Sequence, residues 1–121
     1  MEALSLQDLH HLAMNHVGKE LEKQGFEFIA INSQLKKHPQ FVCVDKPTNT
    51  LHFVMVQAVT YPDNPADYDV LFMETFINHA KGKKAKVLYA GVGFANAEDF
   101  EKPVFKNQDY ILNYEGIKEI L

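Results

Sequence analysis

The sequence LHFVMVQAVTY at residues 51–61 predicts the longest β-strand of this 121-residue chain. Its centre, residues 53–56, is apolar at four successive positions, so both faces of the strand are apolar. This pattern is typical of strands that other elements cover on both sides of a sheet. We therefore predict that residues 51–61 form a central strand, and that the flanking segments supply its neighbours and its covering helices.

Two shorter strands are predicted upstream, at residues 26–31 and 41–44, where aromatic and β-branched residues are concentrated. Polar residues at 32–39 and turn-forming residues at 45–49 separate the three strands. Because these connections are short, we expect the three strands to form an antiparallel meander.

A first helix is predicted over residues 5–24. Ser5 is in position to cap its amino terminus, with Asp8 three residues later as in a capping box. Gly25 suits the position that follows a helix. The predicted apolar stripe of this helix consists of Leu6, Leu9, Ala13, Val17 and Leu21.

A second helix is predicted to begin at Asn64-Pro65, with Asp67 in its first turn, and to end at Gly82. Its apolar stripe consists of Val70, Leu71, Met73, Phe76, Ile77 and Ala80. Further predicted segments are a strand at 87–94, irregular residues at 95–108, a short edge strand at 110–114 and a turn or tail at 116–121.

The chain is therefore predicted to be a single α/β (α+β) domain, residues 1–121. The element order is α-β-β-β-α-β, with a mixed sheet and two main helices that lie either on one face of the sheet or one on each face. No linker, repeat or low-complexity segment indicates a second domain.

Composition excludes several classes of function. The formal charge is −4 and all 12 basic residues are lysine, so nucleic-acid binding, which relies on phosphate neutralisation, is not expected. Cys43 is the only cysteine, which excludes an internal disulfide and a four-cysteine zinc or iron–sulfur site. No apolar run approaches the roughly 18 residues of a membrane span. We expect a cytoplasmic protein without membrane contact and without a cofactor.

The spacing around the first three predicted strands resembles that of a known family. Gly25-Phe26 follows the first helix, Asn32 follows the first strand, and FVCV at 41–44 and FVMVQ at 53–57 form the next two strands. In this order residues 6–94 resemble the restriction-endonuclease-like fold, in particular its YraN-type and Holliday-junction-resolvase-like members. The resemblance implies a nuclease-like scaffold.

The same resemblance implies that the catalytic set is lost. Active members hold Mg²⁺ with clustered carboxylates, and a lysine supports the attacking water. Here the aspartate position is Phe41, the glutamate position is Met55, the lysine position is Gln57, and the glutamate of the first helix falls near Met14. We expect a degenerate scaffold without nuclease activity. We also expect Phe41 and Met55 to be buried in one cluster beside Met14, with the Gln57 amide hydrogen-bonded at its rim.

Short bacterial proteins similar to this chain are often described as the flavin-bearing component of the Na⁺-translocating NADH:quinone reductase. That component needs a four-cysteine iron–sulfur site, a flavin domain and a membrane anchor. One cysteine, no apolar span and 121 residues do not fit these requirements.

Three further patterns have plain structural explanations. The histidines His10, His11 and His16 do not have the spacing of helical zinc ligands, so we expect solvated or partly packed side chains and no metal. The acidic loop at 63–69 lacks the glycine of a calcium loop. The Gly91-Val92-Gly93 run is expected to permit close approach of another backbone segment rather than to bind a dinucleotide.

Two hypotheses of function remain open, and an enzyme is the less favoured class. The first is a non-catalytic scaffold or protein-interaction module, with a protein partner or a second copy docked on an uncovered strand edge and on tyrosines. The alternative is a small-ligand-binding protein or enzyme with a pocket unrelated to the nuclease site, at Asp63, Asp67, Asn96 and Glu98. The tyrosines are Tyr61, Tyr68, Tyr89, Tyr110 and Tyr114.

Overall fold

The computed structural model describes residues 2–35 and 37–121, so the predicted turn at 32–39 includes one residue, Lys36, outside the described residues. The elements are α1 (Leu6–Lys23), β1 (Phe26–Ile31), β2 (Phe41–Asp45), β3 (Thr50–Thr60), α2 (Val70–Gly82), β4 (Lys86–Asn96), β5 (Tyr110–Tyr114) and β6 (Lys118–Glu119). The predicted α-β-β-β-α-β order and mixed sheet are confirmed. No helix in the described ranges is long and apolar enough to cross a membrane.

The six strands form one mixed sheet in the order β1-β2-β3-β4-β5, with β6 also paired to β4. The first three strands are an antiparallel meander, as predicted, and β3 is central. Strands β3 and β4 are parallel and are joined through α2. The short β6, which the sequence predicted as a turn or tail, pairs with the amino-terminal half of β4.

The two helices cover opposite faces of the sheet. On one face α1 packs its buried stripe against alternate residues of β2, β3 and β4. On the other face α2 contributes Met73, Phe76 and Ala80 to a separate cluster. Residue alternation along β3 supplies both clusters, which is why residues 53–56 are apolar throughout.

Helix α1 begins as predicted. The Ser5 hydroxyl oxygen accepts a hydrogen bond from the Asp8 amide, and the Asp8 carboxylate accepts one from the Ser5 amide, both at 3.0 Å. These two bonds lower the pKa of Asp8. Leu6 is an exception to the predicted stripe, because it is 72% exposed and lines a cavity with Tyr61 at the end of β3.

Helix α2 begins later than the predicted Asn64-Pro65, at Val70, with Asp69 as its cap. The reason is that Asn64 closes a turn of its own, since its side-chain oxygen accepts from the Ala66 amide at 2.9 Å. The Asp69 carboxylate instead accepts from the amide of Phe72 at 3.0 Å. The predicted stripe residues Val70 and Leu71 consequently lie on the exposed side of the first turn.

Candidate functional site

The positions that the resemblance assigns to a catalytic centre are divided between the two faces of the sheet. Phe41 is buried with Met14 under α1, whereas Met55 is buried in the cluster under α2. The prediction of one cluster is therefore wrong. The physical reason is the register of the strands: Phe41 pairs with Val54, so Met55 points to the opposite face.

Gln57 is partly buried and, by alternation along β3, lies on the same face as Met55, as predicted. Its side-chain amide donates a hydrogen bond to the Asp67 carbonyl oxygen at 2.9 Å. A second glutamine, Gln40, is fully buried, and its Oε1 accepts from the Val56 amide at 2.8 Å. Both glutamine side chains are thus engaged by backbone groups, Gln57 by the segment that precedes α2 and Gln40 by β3.

The segment that precedes α2 is held against β4 by Tyr89. The buried Tyr89 hydroxyl donates to the Pro65 carbonyl oxygen at 2.7 Å. Burial, with a smaller contribution from the charge of Asp67, raises the pKa of Tyr89 to about 12. The same carbonyl oxygen lies against Gly91, where an added Cβ would meet it at 1.9 Å. The close backbone approach predicted for the Gly91-Val92-Gly93 run is confirmed at Gly91.

The four residues predicted to form a ligand pocket are not grouped in one cavity. Asp63 lines a cavity at the carboxyl-terminal end of β3 and β4, and Asp67 contributes its carbonyl oxygen to Gln57. Glu98 is exposed on the loop after β4.

The fourth predicted pocket residue, Asn96, is buried, and both ends of its side-chain amide bind the backbone of the loop after β4. Its Nδ2 donates to the Pro103 carbonyl oxygen, and its Oδ1 accepts from the backbone amides of Glu98 and Asp99.

The loop at 97–103 that Asn96 holds carries Phe100 to a prominent apolar surface. We call this surface the aromatic surface and define it by Leu6, Tyr61, Phe100 and Ile111, whose side chains are 43–72% exposed. The rings of Tyr61 and Phe100 pack together with their centroids 5.2 Å apart. The sequence pointed to Tyr61 among the tyrosines but not to Phe100, because a loop aromatic has no periodic signal.

Two adjoining cavities flank the Tyr61–Phe100 pair, with volumes of about 400 and 410 Å³. Both are also lined by Phe94 and Ala95. Leu6 lines the first cavity and Ile111 lines the second. The described surface therefore offers two recesses with mixed apolar and polar linings, separated by the Tyr61–Phe100 pair, at the carboxyl-terminal end of the central parallel strands.

The margin of the aromatic surface is acidic. Asp63 lines one cavity, Glu101 lines the other, and Glu98 and Asp99 lie on the loop that carries Phe100. All four carboxylates belong to exposed residues, and Lys102 is the one basic residue of that loop. The local charge thus has the same sign as the formal charge of the chain, −4.

The histidines of α1 occupy three different environments. His11 is exposed. His16 is also exposed, and its ring packs edge-on against the ring of Tyr114, with the ring centroids 4.7 Å apart. His10, which we expected to be solvated or partly packed, is 2% exposed, and its Nε2 has no hydrogen-bond partner among the described residues. Burial, together with the charges of His11 and His38, lowers the pKa of His10. In the described residues no group of three or more histidine, cysteine or acidic side chains is placed to hold a metal.

Burial of His10 predicts that the protein is destabilised on mild acidification. The folded state holds the neutral ring, so the unfolded chain takes up a proton more readily once the pH falls below about 6.5. The free energy of unfolding should decrease from there down to the lowered pKa, by about 1.4 kcal/mol per unit of pKa difference. His10→Leu should flatten this part of the profile in urea titrations, whereas His11→Leu, which keeps the buried ring and removes only a neighbouring charge that also lowers the pKa of His10, should change it less. The prediction would be contradicted if the free energy of unfolding fell with decreasing pH equally steeply in wild type and in His10→Leu.

Comparison with known proteins gives one family. The model of DUF8840, a domain of unknown function, matches residues 7–120. No curated protein and no solved structure matches the chain.

Proposed function

We propose that this chain, which belongs to the DUF8840 family, is a non-catalytic protein-interaction module on a nuclease-like scaffold. The observation that carries the proposal is the aromatic surface with its acidic margin. Exposed aromatic and aliphatic side chains grouped at one place, with a charged rim, are typical of protein-binding sites. The element order and the mixed sheet support the scaffold.

Three positions of the implied nuclease site support a non-catalytic role. Phe41 and Met55 are buried on opposite faces of the sheet, and neither side chain can ligate Mg²⁺. The Gln57 amide is engaged by the Asp67 carbonyl. Cleavage of single- or double-stranded DNA by the purified protein with Mg²⁺ or Mn²⁺ would contradict this part of the proposal.

The partner that fits this surface is a polypeptide segment with apolar side chains between basic residues. Apolar side chains would enter the recesses beside Tyr61 and Phe100, and lysine or arginine would face the carboxylates of the margin. A second copy of this chain would bring a like-charged margin to the same place, which disfavours self-association here. The buried amide of Asn96 is engaged by the loop backbone, so it is not free to orient a small polar ligand.

Selection from a phage-displayed peptide library tests the proposal. We expect the selected peptides to combine basic with aromatic or aliphatic residues and to bind more weakly as salt is added. Phe100→Ser should weaken their binding about 30-fold, the loss typical of a central aromatic contact of about 2 kcal/mol. Leu71→Ser is the matched control, because Leu71 is an apolar side chain, 77% exposed, on the first turn of α2.

Two outcomes would contradict the assignment of the surface. One is selection of acidic peptides. The other is binding that Leu71→Ser removes and Phe100→Ser leaves intact, which would move the interaction to α2. Self-association that Phe100→Ser abolishes would replace the basic partner with a second copy of the chain.

A further inference from the structure

A polar groove of about 430 Å³ lies at the opposite end of the sheet, at the amino-terminal ends of β3 and β4. Strand register places Asp45, His52 and Lys86 on the face that α1 covers, because Cys43 of the α1-side cluster pairs with His52 and His52 pairs with Lys86. Helix α1 ends at Lys23, and Gln24 lines the groove. The groove is thus the part of this face that lies past the carboxyl terminus of α1.

His52 is the buried polar side chain of the groove, with 7% of its surface exposed. Its Nδ1 lies 2.9 Å from the carbonyl oxygen of Thr50. Because a carbonyl oxygen only accepts, Nδ1 must carry a proton, and the neutral ring has its lone pair on Nε2. The ring of Phe26 packs edge-on against the imidazole with centroids 4.9 Å apart, which fixes its orientation.

The Nε2 atom of His52 is free to accept a hydrogen bond. It has no hydrogen-bond partner among the described residues, and unlike Nε2 of His10 it is not sealed from solvent. Since the rest of the imidazole is buried and His52 lines the groove, its accessible nitrogen faces the groove. A buried imidazole with a fixed tautomer and one open acceptor is a preorganised contact for a donor.

The charges around His52 favour a cation. Lys86 is paired with Glu119 at 2.9 Å, which neutralises both side chains and lowers the pKa of Glu119. The Asp45 carboxylate has no hydrogen bond or ion pair with the described side chains. The carboxyl end of the 18-residue α1 adds the negative end of a helix dipole. Beside the Lys86–Glu119 pair, the groove therefore holds two uncommitted acceptors, the Asp45 carboxylate and Nε2 of His52.

We propose that this groove binds a small organic amine. The ammonium group donates hydrogen bonds to Nε2 of His52 and to the carboxylate of Asp45, and the hydrocarbon part lies on Phe26 and Leu88, which line the groove. The volume is that of a small-molecule site rather than of an ion. The third acidic or histidine side chain that lines the groove, Glu119, is paired with Lys86, and no group of three such side chains in the described residues is placed to hold a metal. This binding is independent of the aromatic surface.

Titration with putrescine, followed by long-range ¹H–¹⁵N spectra of the histidine rings, tests the site. Nε2 of His52 should shift while the ring of His79 does not, and the neutral isostere butane-1,4-diol should have no effect. Asp45→Asn should weaken binding about tenfold, which corresponds to about 1.4 kcal/mol. Asp109→Asn is the control, because it makes the same charge change at an exposed residue outside the groove.

His52→Asn is the second variant, since its amide can still donate to the Thr50 carbonyl while the Nε2 acceptor is lost. It should abolish putrescine binding and leave the far-ultraviolet circular dichroism spectrum unchanged. The amine proposal is overturned if putrescine leaves Nε2 of His52 unmoved, if Asp109→Asn weakens binding as much as Asp45→Asn, or if Zn²⁺ shifts His52 and putrescine does not. A negative result in these experiments would not contradict the proposed role of the aromatic surface, because Phe100 and His52 lie at opposite ends of the sheet.

Discussion

Gly91→Ala is expected to lower the free energy of unfolding by about 2 kcal/mol or more, although it adds a single methyl group. The new Cβ would stand 1.9 Å from the carbonyl oxygen of Pro65 and 2.7 Å from its carbonyl carbon. Backbone atoms cannot turn away as a flexible side chain can, so the 62–67 segment must move off β4. Overpacking of this kind costs about 1–3 kcal/mol, and an unpaired Tyr89 hydroxyl adds about 1–3 kcal/mol.

Urea unfolding of Gly91→Ala beside wild type measures this loss, and Gly82→Ala is its matched control. An added Cβ at Gly82 meets nothing within 4 Å, and Gly82 is the last residue of α2. That variant should stay within about 1 kcal/mol of wild type, with a small gain from the better helix propensity of alanine. Equal stability of the two variants would mean that the segment before α2 is not held against β4.

The element order could be predicted from the sequence because each element carries its own local signal. Ser5 and Asp8 mark the start of α1, and the capping box that they form is the one predicted. The double-sided apolar pattern of residues 53–56 placed β3 in the centre of the sheet, where the structure has it. The Gly91 signal was also local, because a glycine in a strand indicates close approach of another chain segment.

The start of α2 could not be predicted correctly because two local signals compete. Asn64-Pro65 and Asp69 are both good caps, and local chemistry does not choose between them. Tertiary contact does: the hydroxyl of Tyr89 binds the Pro65 carbonyl, which holds residues 64–67 in a turn against β4. Only Asp69 is then left to begin the helix.

The aromatic surface and the polar groove lack a sequence signal for a different reason. Each is assembled from residues that are distant in the chain, such as Leu6, Tyr61 and Phe100 at one end of the sheet and Asp45 and His52 at the other. The sheet topology brings these residues together, and neither the composition of the chain nor the spacing of its residues predicts that they are neighbours. The acidic residues of the predicted pocket did indicate a negatively charged region. Two of them, Asp63 and Glu98, lie at the margin of the aromatic surface.

The separation of Phe41 from Met55 follows from the length of the turn between β2 and β3. The turn between β2 and β3 leaves Asp45 paired with Thr50, and this pairing places odd-numbered residues of β2 opposite even-numbered residues of β3. Phe41 must then pair with Val54 and share its face. The predicted single cluster assumed that Phe41 and Met55 share a face, and the four-residue turn at 46–49 forbids it.

Met55→Ala is expected to lower the free energy of unfolding by about 2–5 kcal/mol, as truncation of a buried side chain does. Met55 is 4% exposed and belongs to the cluster that also holds Met73 and Phe76 of α2. Met55→Leu, which conserves volume, should cost less than about 1.5 kcal/mol. Chemical denaturation of the three proteins measures both losses, and a loss below about 0.5 kcal/mol for Met55→Ala would mean an open cleft at this position.

Double-mutant cycles distinguish one cluster from two. Phe41→Ala combined with Met55→Ala should give additive losses to within about 0.5 kcal/mol, because the sheet separates the two side chains. Phe41→Ala combined with Met14→Ala should show a coupling of at least about 0.5 kcal/mol, since both side chains belong to the α1-side cluster. Strong coupling of Phe41 with Met55 would restore the single cluster that the resemblance suggested. Coupling of Phe41 with Met14 but not with Met55 would establish that the two faces of the sheet are packed independently. Met14 and Met55 would then not be the remains of one metal site.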